Sequence, residues 1–307
     1  MTTNIDNQDI FKKIQKLKEE KNAIILAHYY QPDLVQDLAD YLGDSFGLSQ
    51  KAANTDADLI VFCGVKFMGE SAKILSPKKT VLLPEIMAGC PMADMVDVKG
   101  LRKMKEEYPE HTVVTYVNTS AAVKAESDVC CTSSNALKIV ESIDSDKILF
   151  VPDKNLGSYL AQRTDKEVVV WDGYCNTHHR VELEEIKKVK EAHPNTPILI
   201  HPESRSEVLA LADYAGSTAG ILKYARESKA DTLIIGTEQG ILHQLKKESP
   251  EKQFYLLSPK LICPNMKKTS LNKVLDSLKY MKTVVEIDEE VRLKAYQALN
   301  KMLELAR

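Results

Sequence analysis

The sequence predicts an α/β protein made of three repeated three-layer αβα domains, each around a short parallel sheet, in a pseudo-threefold arrangement about a common centre. Three observations carry this expectation. One pattern of strands and helices occurs three times along the chain. Its strands are continuous apolar runs, as parallel strands covered on both faces are. A cysteine follows the last strand of each repeat, at positions 90, 175 and 263, a near-constant interval.

Each repeat opens on a short apolar strand with a polar tail: AIILAHYY (23–30), TVVTYVN (112–118) and PILIHPE (197–203). A helical stretch follows, then an Asp-containing turn: ADYLGDS (39–45), SDVCCTS (127–133) and ADYAGST (212–218). Second strands are LIVFCG, KILFVP and TLIIG, and after another helix the third strands are TVLLP, EVVVW and QFYLL. Right-handed crossovers of this kind build parallel sheets, whose ligands bind beyond the carboxyl ends of the strands. All the polar tails and the three cysteines fall at those ends. The expected domains are 21–108, 109–193 and 194–268, with an N-terminal helix over 8–20 and closing helices over 269–307 packing on the first.

Bulk properties narrow the function. The 307 residues are 44% hydrophobic and 28% charged, enough for a substantial core. With 41 Lys+Arg against 44 Asp+Glu the net charge is -3, which gives no polyanion-binding surface, so no nucleic acid partner is expected. The polar N-terminal stretch lacks the apolar core of a signal peptide, and no apolar run is long enough to cross a bilayer. A cytoplasmic protein is expected, with no membrane partner. In that reducing setting the six cysteines read as buried residues, metal ligands or reactive thiols rather than disulfides.

Cys63 sits inside a strand, and Cys130 and Cys131 have no counterparts in the other repeats, so these three read as small buried hydrophobes. Cys90, Cys175 and Cys263 recur at matching strand ends and read as the ligands of one metal centre. Structural zinc favours four ligands in close pairs, which are absent here. A [4Fe-4S] cluster with three thiolates would keep one iron open, as catalytic metals do, to act as a Lewis acid in a dehydration.

The strand tails bring acid–base and hydrogen-bonding groups to the same centre: His28, Tyr29 and Tyr30, then Tyr116 and Asn118, then His201 and Glu203. Glu203 beside His201 reads as a general base. The turns end in Gly43-Asp44-Ser45, Thr132-Ser133-Ser134 and Gly216-Ser217-Thr218, each placed to start a helix, where an ordinary cap competes with anion binding as the role. Three such starts aimed at one centre suit a small polyanion. In YCNTHHR, His178 lies three residues after Cys175. Gly69, Gly157 and Gly240, recurring after the second strands, read as positions of close helix packing. No GxGxxG follows a strand and no Walker-type loop occurs.

The segments LAHYYQ, GDS, MAGCPMAD, YVNTSA, CTSSNA, HPE, GST and CPNMKKT resemble quinolinate synthase, a family similar to this chain from about residue 20 to 300. The resemblance implies an enzyme of NAD biosynthesis that condenses iminoaspartate with dihydroxyacetone phosphate to quinolinate, losing phosphate and two waters. It implies one [4Fe-4S] cluster per chain on Cys90, Cys175 and Cys263. It also implies substrate contacts from His28, Ser45, Tyr116, Asn118, Ser133, His201, Glu203 and Thr218, with Ser217 beside them, and catalytic parts for Tyr30 and His178 together with His28 and Glu203. L-aspartate oxidase or aspartate dehydrogenase is the implied supplier of iminoaspartate. An iron–sulfur redox or oxygen sensor without catalysis would explain the cysteines but leave the histidines, Glu203 and the anion turns idle; a structural-zinc scaffold is the other alternative.

Overall fold

The computed structural model describes residues 2–306, with side chains over 7–306. Its strands are β1 (Ala23–His28), β2 (Tyr41–Gly43), β3 (Leu59–Cys63), β4 (Thr80–Leu82), β5 (Thr112–Tyr116), β6 (Val129–Cys131), β7 (Lys147–Val151), β8 (Glu167–Val170), β9 (Ile198–Ile200), β10 (Tyr214–Ala215), β11 (Thr232–Gly236) and β12 (Gln253–Leu256). They form three four-stranded sheets in one order, β2-β1-β3-β4, β6-β5-β7-β8 and β10-β9-β11-β12. Every pairing within these sheets is parallel. Helices flank each sheet, so the fold is α/β with three αβα units, as the repeats predict.

Each sheet has one strand more than expected. The aspartates read as turn residues instead start a short edge strand and fix its register. Asp40, Asp128 and Asp213 each accept the backbone N–H of a first-strand residue, Ile25 at 2.8 Å, Val113 at 2.8 Å and Ile198 at 2.9 Å. The same aspartates donate their own N–H to the carbonyls of those residues. A two-point clamp of this kind supplies pairing that a strand of two or three residues could not hold alone.

Burial follows the apolar runs. Ile25 and Ala27 face one side of the first sheet with Ile14 and Val274, whereas Leu26 and Ile60 face a larger core that runs into the second unit through Val114, Ile148 and Phe150. The third sheet divides its apolar residues in the same manner, Leu199 and Ile235 on one face and Ile198, Ile200 and Ile234 on the other. Each fully buried aliphatic side chain contributes about 1.5–3 kcal/mol. Gly157 permits the close approach expected of it, since a Cβ there would lie 2.5 Å from Val170; Gly240 sits where the first and third units meet, its Cβ position 2.7 Å from the Tyr30 Cα.

The terminal helices depart in part from expectation. Thr2–Glu20 packs on Leu271–Tyr280 and on the first sheet. Glu289–Leu305, expected on the first unit, lies chiefly on Ala121–Ala125 and β6 of the second unit and also on Lys66–Leu75. Its buried face of Ala295, Ala298, Leu299 and Met302 belongs to the core that both units share. Among the described residues no helix is long and apolar enough to cross a membrane.

Candidate active site

The carboxyl ends of the three sheets open onto one cavity of about 140 Å³. The recurring tail position brings His28, Tyr116 and His201 to its wall, and the position two residues later brings Tyr30, Asn118 and Glu203. Ser45, Ser133, Thr218 and His178 line it too, as do Cys90, Cys175 and Cys263. Ser217 is the exception. It caps the helix Thr218–Glu227, its hydroxyl accepting the Gly220 N–H, and it lines a neighbouring groove instead. The cap is the role the structure shows for its hydroxyl.

The three cavity cysteines are half-buried, each in the loop after the last strand of its sheet. Backbone N–H groups face their sulfurs at similar offsets: those of Met92 and Ala93 at Cys90, His178 at Cys175, and Asn265 and Met266 at Cys263. Burial pushes the Cys90 thiol up to about 12 and raises those of Cys175 and Cys263 as well. Three such thiols become thiolates when a cation supplies compensating charge. Cys63, Cys130 and Cys131 lie in β3 and β6, fully buried among apolar neighbours and away from the cavity.

Glu203 is the hub of the polar groups. Its Oε1 accepts from the Tyr116 hydroxyl at 2.6 Å, and its Oε2 lies 2.7 Å from His178 Nδ1. Burial pushes the carboxyl up, but His201 and His178 face it and the hydrogen bonds from His178 and Tyr116 outweigh the burial, so it is held ionised below the usual carboxylate range. Oxygen, nitrogen and sulfur of Glu203, His178 and Cys175 all lie within 4.8 Å of one another. On its far side His178 Nε2 is 2.9 Å from the Thr237 hydroxyl, which is 2.6 Å from that of Tyr30. Tyr30 completes the run with Thr218 at 2.6 Å.

His28 and His201 repeat one local device. Nδ1 of His28 accepts the Tyr30 N–H and Nδ1 of His201 the Glu203 N–H, which leaves Nε2–H pointing onward. For His201 that nitrogen lies 3.2 Å from Ser133 Oγ. Burial lowers both histidines to about 3, so each is a neutral donor at working pH. Burial raises Tyr30 and Tyr116 well above 10, so both keep their protons.

Several residues of the site escaped the sequence reading. Thr237 and Glu238 follow β11, and both are fully buried. Glu238 accepts the Cys263 N–H at 3.1 Å and the Gly240 N–H at 2.7 Å and pairs with Lys267 at 3.0 Å. Asn155 donates to the Glu203 carbonyl at 2.8 Å, and Asp153 caps the helix that carries it. The available signal was their place just past the second strands of the repeats.

The sequence pattern of the family described as "Quinolinate synthetase A protein" matches residues 12–304. The chain is 56% identical over 295 residues to "Quinolinate synthase 1" of Methanosarcina acetivorans, covering 96% of this chain and 97% of that protein. It is 54% identical over 302 residues to "Quinolinate synthase" of Alkaliphilus metalliredigens, covering 98% and 100%. Against "Quinolinate synthase" of Geobacter sp. strain M21 it is 56% identical over 294 residues, covering 96% and 97%. The chain belongs to the quinolinate synthetase A family, enzymes of NAD biosynthesis.

Proposed function

We propose that the chain condenses iminoaspartate with dihydroxyacetone phosphate to quinolinate, with loss of phosphate and two waters, and that Cys90, Cys175 and Cys263 hold one [4Fe-4S] cluster. The observation that carries this reading is the meeting of three half-buried thiols, one from each unit, with the Glu203 network in a single cavity. The donor set suits the cluster: three soft sulfurs, each faced by backbone N–H groups, and one fewer than the usual four. When bound, the cluster supplies a Lewis acid at its open iron, which polarises a substrate hydroxyl or carboxylate during dehydration.

The chain's own residues then bind anions and handle protons. His28 and His201 present neutral Nε2–H donors, and Ser45, Ser133, Asn118 and Thr218 add hydroxyls and an amide around the cavity. These groups suit two carboxylates and a phosphate without demanding a second cation. The Asn118 Oδ1 is buried and has no partner within the protein, as expected of a group that meets substrate. Glu203, with both oxygens accepting, is a weak base while its two hydrogen bonds persist. Loss of either bond as substrate enters raises its basicity, so it can take a proton from the substrate and Tyr116 or His178 can return one. Iminoaspartate would come from an L-aspartate oxidase or aspartate dehydrogenase.

The compact Cys175, His178 and Glu203 group favours a second reading, a single metal ion on those three ligands. Both nitrogens of His178 and both oxygens of Glu203 already have protein partners, and Cys90 and Cys263 would have no part in it. Anaerobic purification with iron and sulfide counting separates the two. Cluster content near four irons and four sulfides per chain, lost in Cys90→Ser, Cys175→Ser and Cys263→Ser but kept in Cys63→Ser, is the expected result. Stoichiometric zinc, or a cluster that survives Cys90→Ser, would exclude the proposal, and so would a loaded protein that makes no quinolinate.

A further inference from the structure

Thr237 stands one residue past β11, fully buried, with a hydroxyl that touches two side chains from elsewhere. Its Oγ1 is 2.6 Å from the Tyr30 hydroxyl and 2.9 Å from His178 Nε2. On its other side His178 Nδ1 lies 2.7 Å from Glu203 Oε2 and 3.3 Å from Cys175 Sγ, and Tyr30 also reaches Thr218 at 2.6 Å. The result is one continuous run of polar contacts from Thr218 through Tyr30, Thr237 and His178 to Glu203.

We infer that Thr237 is a positioning residue of the active site: its hydroxyl holds the His178 ring and the Tyr30 hydroxyl in place relative to each other, and it couples the first unit to the third. The inference rests on the function proposed above. No other side chain bridges Tyr30 and His178 among the described residues, and no hydrogen bond joins the two directly. Removing the hydroxyl leaves His178 Nε2 without its partner, so the ring loses the bond that holds it on that side. Tyr30 is left free to turn wholly toward Thr218. The His178 ring keeps its contact with Cys175 Sγ, and neither change alters the anion-binding wall of His28, Ser45 and His201.

The test compares Thr237→Val, which keeps the shape and loses the hydroxyl, with Thr237→Ser, which keeps the hydroxyl, in anaerobically purified holoenzyme. Thr237→Val is expected to lower kcat by roughly 10- to 100-fold, within the range that oriented acid–base groups supply. Its KM values, iron and sulfide content, and calorimetric affinity for pyridine-2,3-dicarboxylate should stay within about threefold of wild type, on the ground that binding groups are untouched. Thr237→Ser should keep kcat within about threefold by the same reasoning. A Val variant with wild-type kcat, a Ser variant as slow as Val, or an effect confined to KM overturns the inference. If the Val variant does not fold, Thr237→Ala carries the same comparison, and wild-type kcat in that protein is again the overturning result. Wild-type holoenzyme that makes no quinolinate fails differently: it removes the proposed function, and the inference with it.

Discussion

The hydroxyl of Tyr116 donates to Glu203 Oε1 over 2.6 Å, so a residue of the second unit and one of the third share a buried carboxylate whose other oxygen faces His178. The facing His201 and His178, helped by these hydrogen bonds, hold the carboxyl ionised in a site that pushes the thiols up. The sharing also makes Glu203 sensitive to how closely the units approach. Glu203→Gln keeps the shape but turns an amide toward the His178 Nδ1–H or the Tyr116 hydroxyl, setting donor against donor. Turnover is expected to fall by about 10²- to 10⁴-fold, with iron content retained. Full turnover in Glu203→Gln, measured as quinolinate formed per cluster, would show that the carboxylate handles no proton.

How far the site could be read from the sequence depends on whether its residues repeat. His28, Tyr116 and His201 could be found because each ends a first strand, and the cysteines because each follows a last one. Thr237 lies just past a second strand, but the other repeats carry no threonine there. A single threonine after a strand is chemically ordinary, and its partners lie 207 and 59 residues away in the chain. The aspartates at 40, 128 and 213 did repeat, yet their role was misread. The two or three residues after them are too few for alternation or an apolar run to reveal a strand, so local chemistry favoured a turn. Ser217 repeats as well, but a serine before a helix serves equally as cap or ligand contact, and only its direction decides.

Those aspartates give a prediction about stability. Each side chain accepts one N–H at the start of a first strand, in a partly exposed setting. Replacement by Ala in any one unit should destabilise by about 1 kcal/mol, the net worth of one hydrogen bond, and Asp→Asn by less, since the amide oxygen can still accept. Chemical-denaturation midpoints of the three Ala variants check this. Equal midpoints for Asp213→Ala and wild type would mean that the backbone pairing of Asp213 with Ile198 suffices alone.

The cavity cysteines and the core cysteines should separate under chelation. Cys90, Cys175 and Cys263 are half-buried around a cavity, whereas Cys63, Cys130 and Cys131 have no exposed surface. Prolonged anaerobic treatment with an iron chelator and a reductant should release all the iron and abolish turnover. Alkylation of the stripped native chain should then modify the first three cysteines only. Labelling of Cys63, Cys130 or Cys131 at a comparable rate, located by peptide mass, would place those thiols at the cavity instead of in the core.

The buried histidines set a pH dependence whose sign follows from their direction of shift. His28 and His201 titrate at about 3 in the folded protein, against about 6.5 in an unfolded chain. Between those values the unfolded chain binds a proton that the native state refuses, so stability is whole above about pH 6.5 and declines as the pH falls toward 3. Each histidine contributes up to roughly 1.4 kcal/mol per pH unit in that window. Raised carboxyls such as Glu238 and Asp44 act in the opposite sense, which makes a difference measurement the informative one. His201→Gln, measured against wild type by denaturant midpoint from pH 7.5 to 4.5, should lose less stability on acidification than wild type does. Parallel curves for the two proteins would mean that His201 takes up its proton in the folded state near the ordinary value, and that burial does not hold its ring neutral.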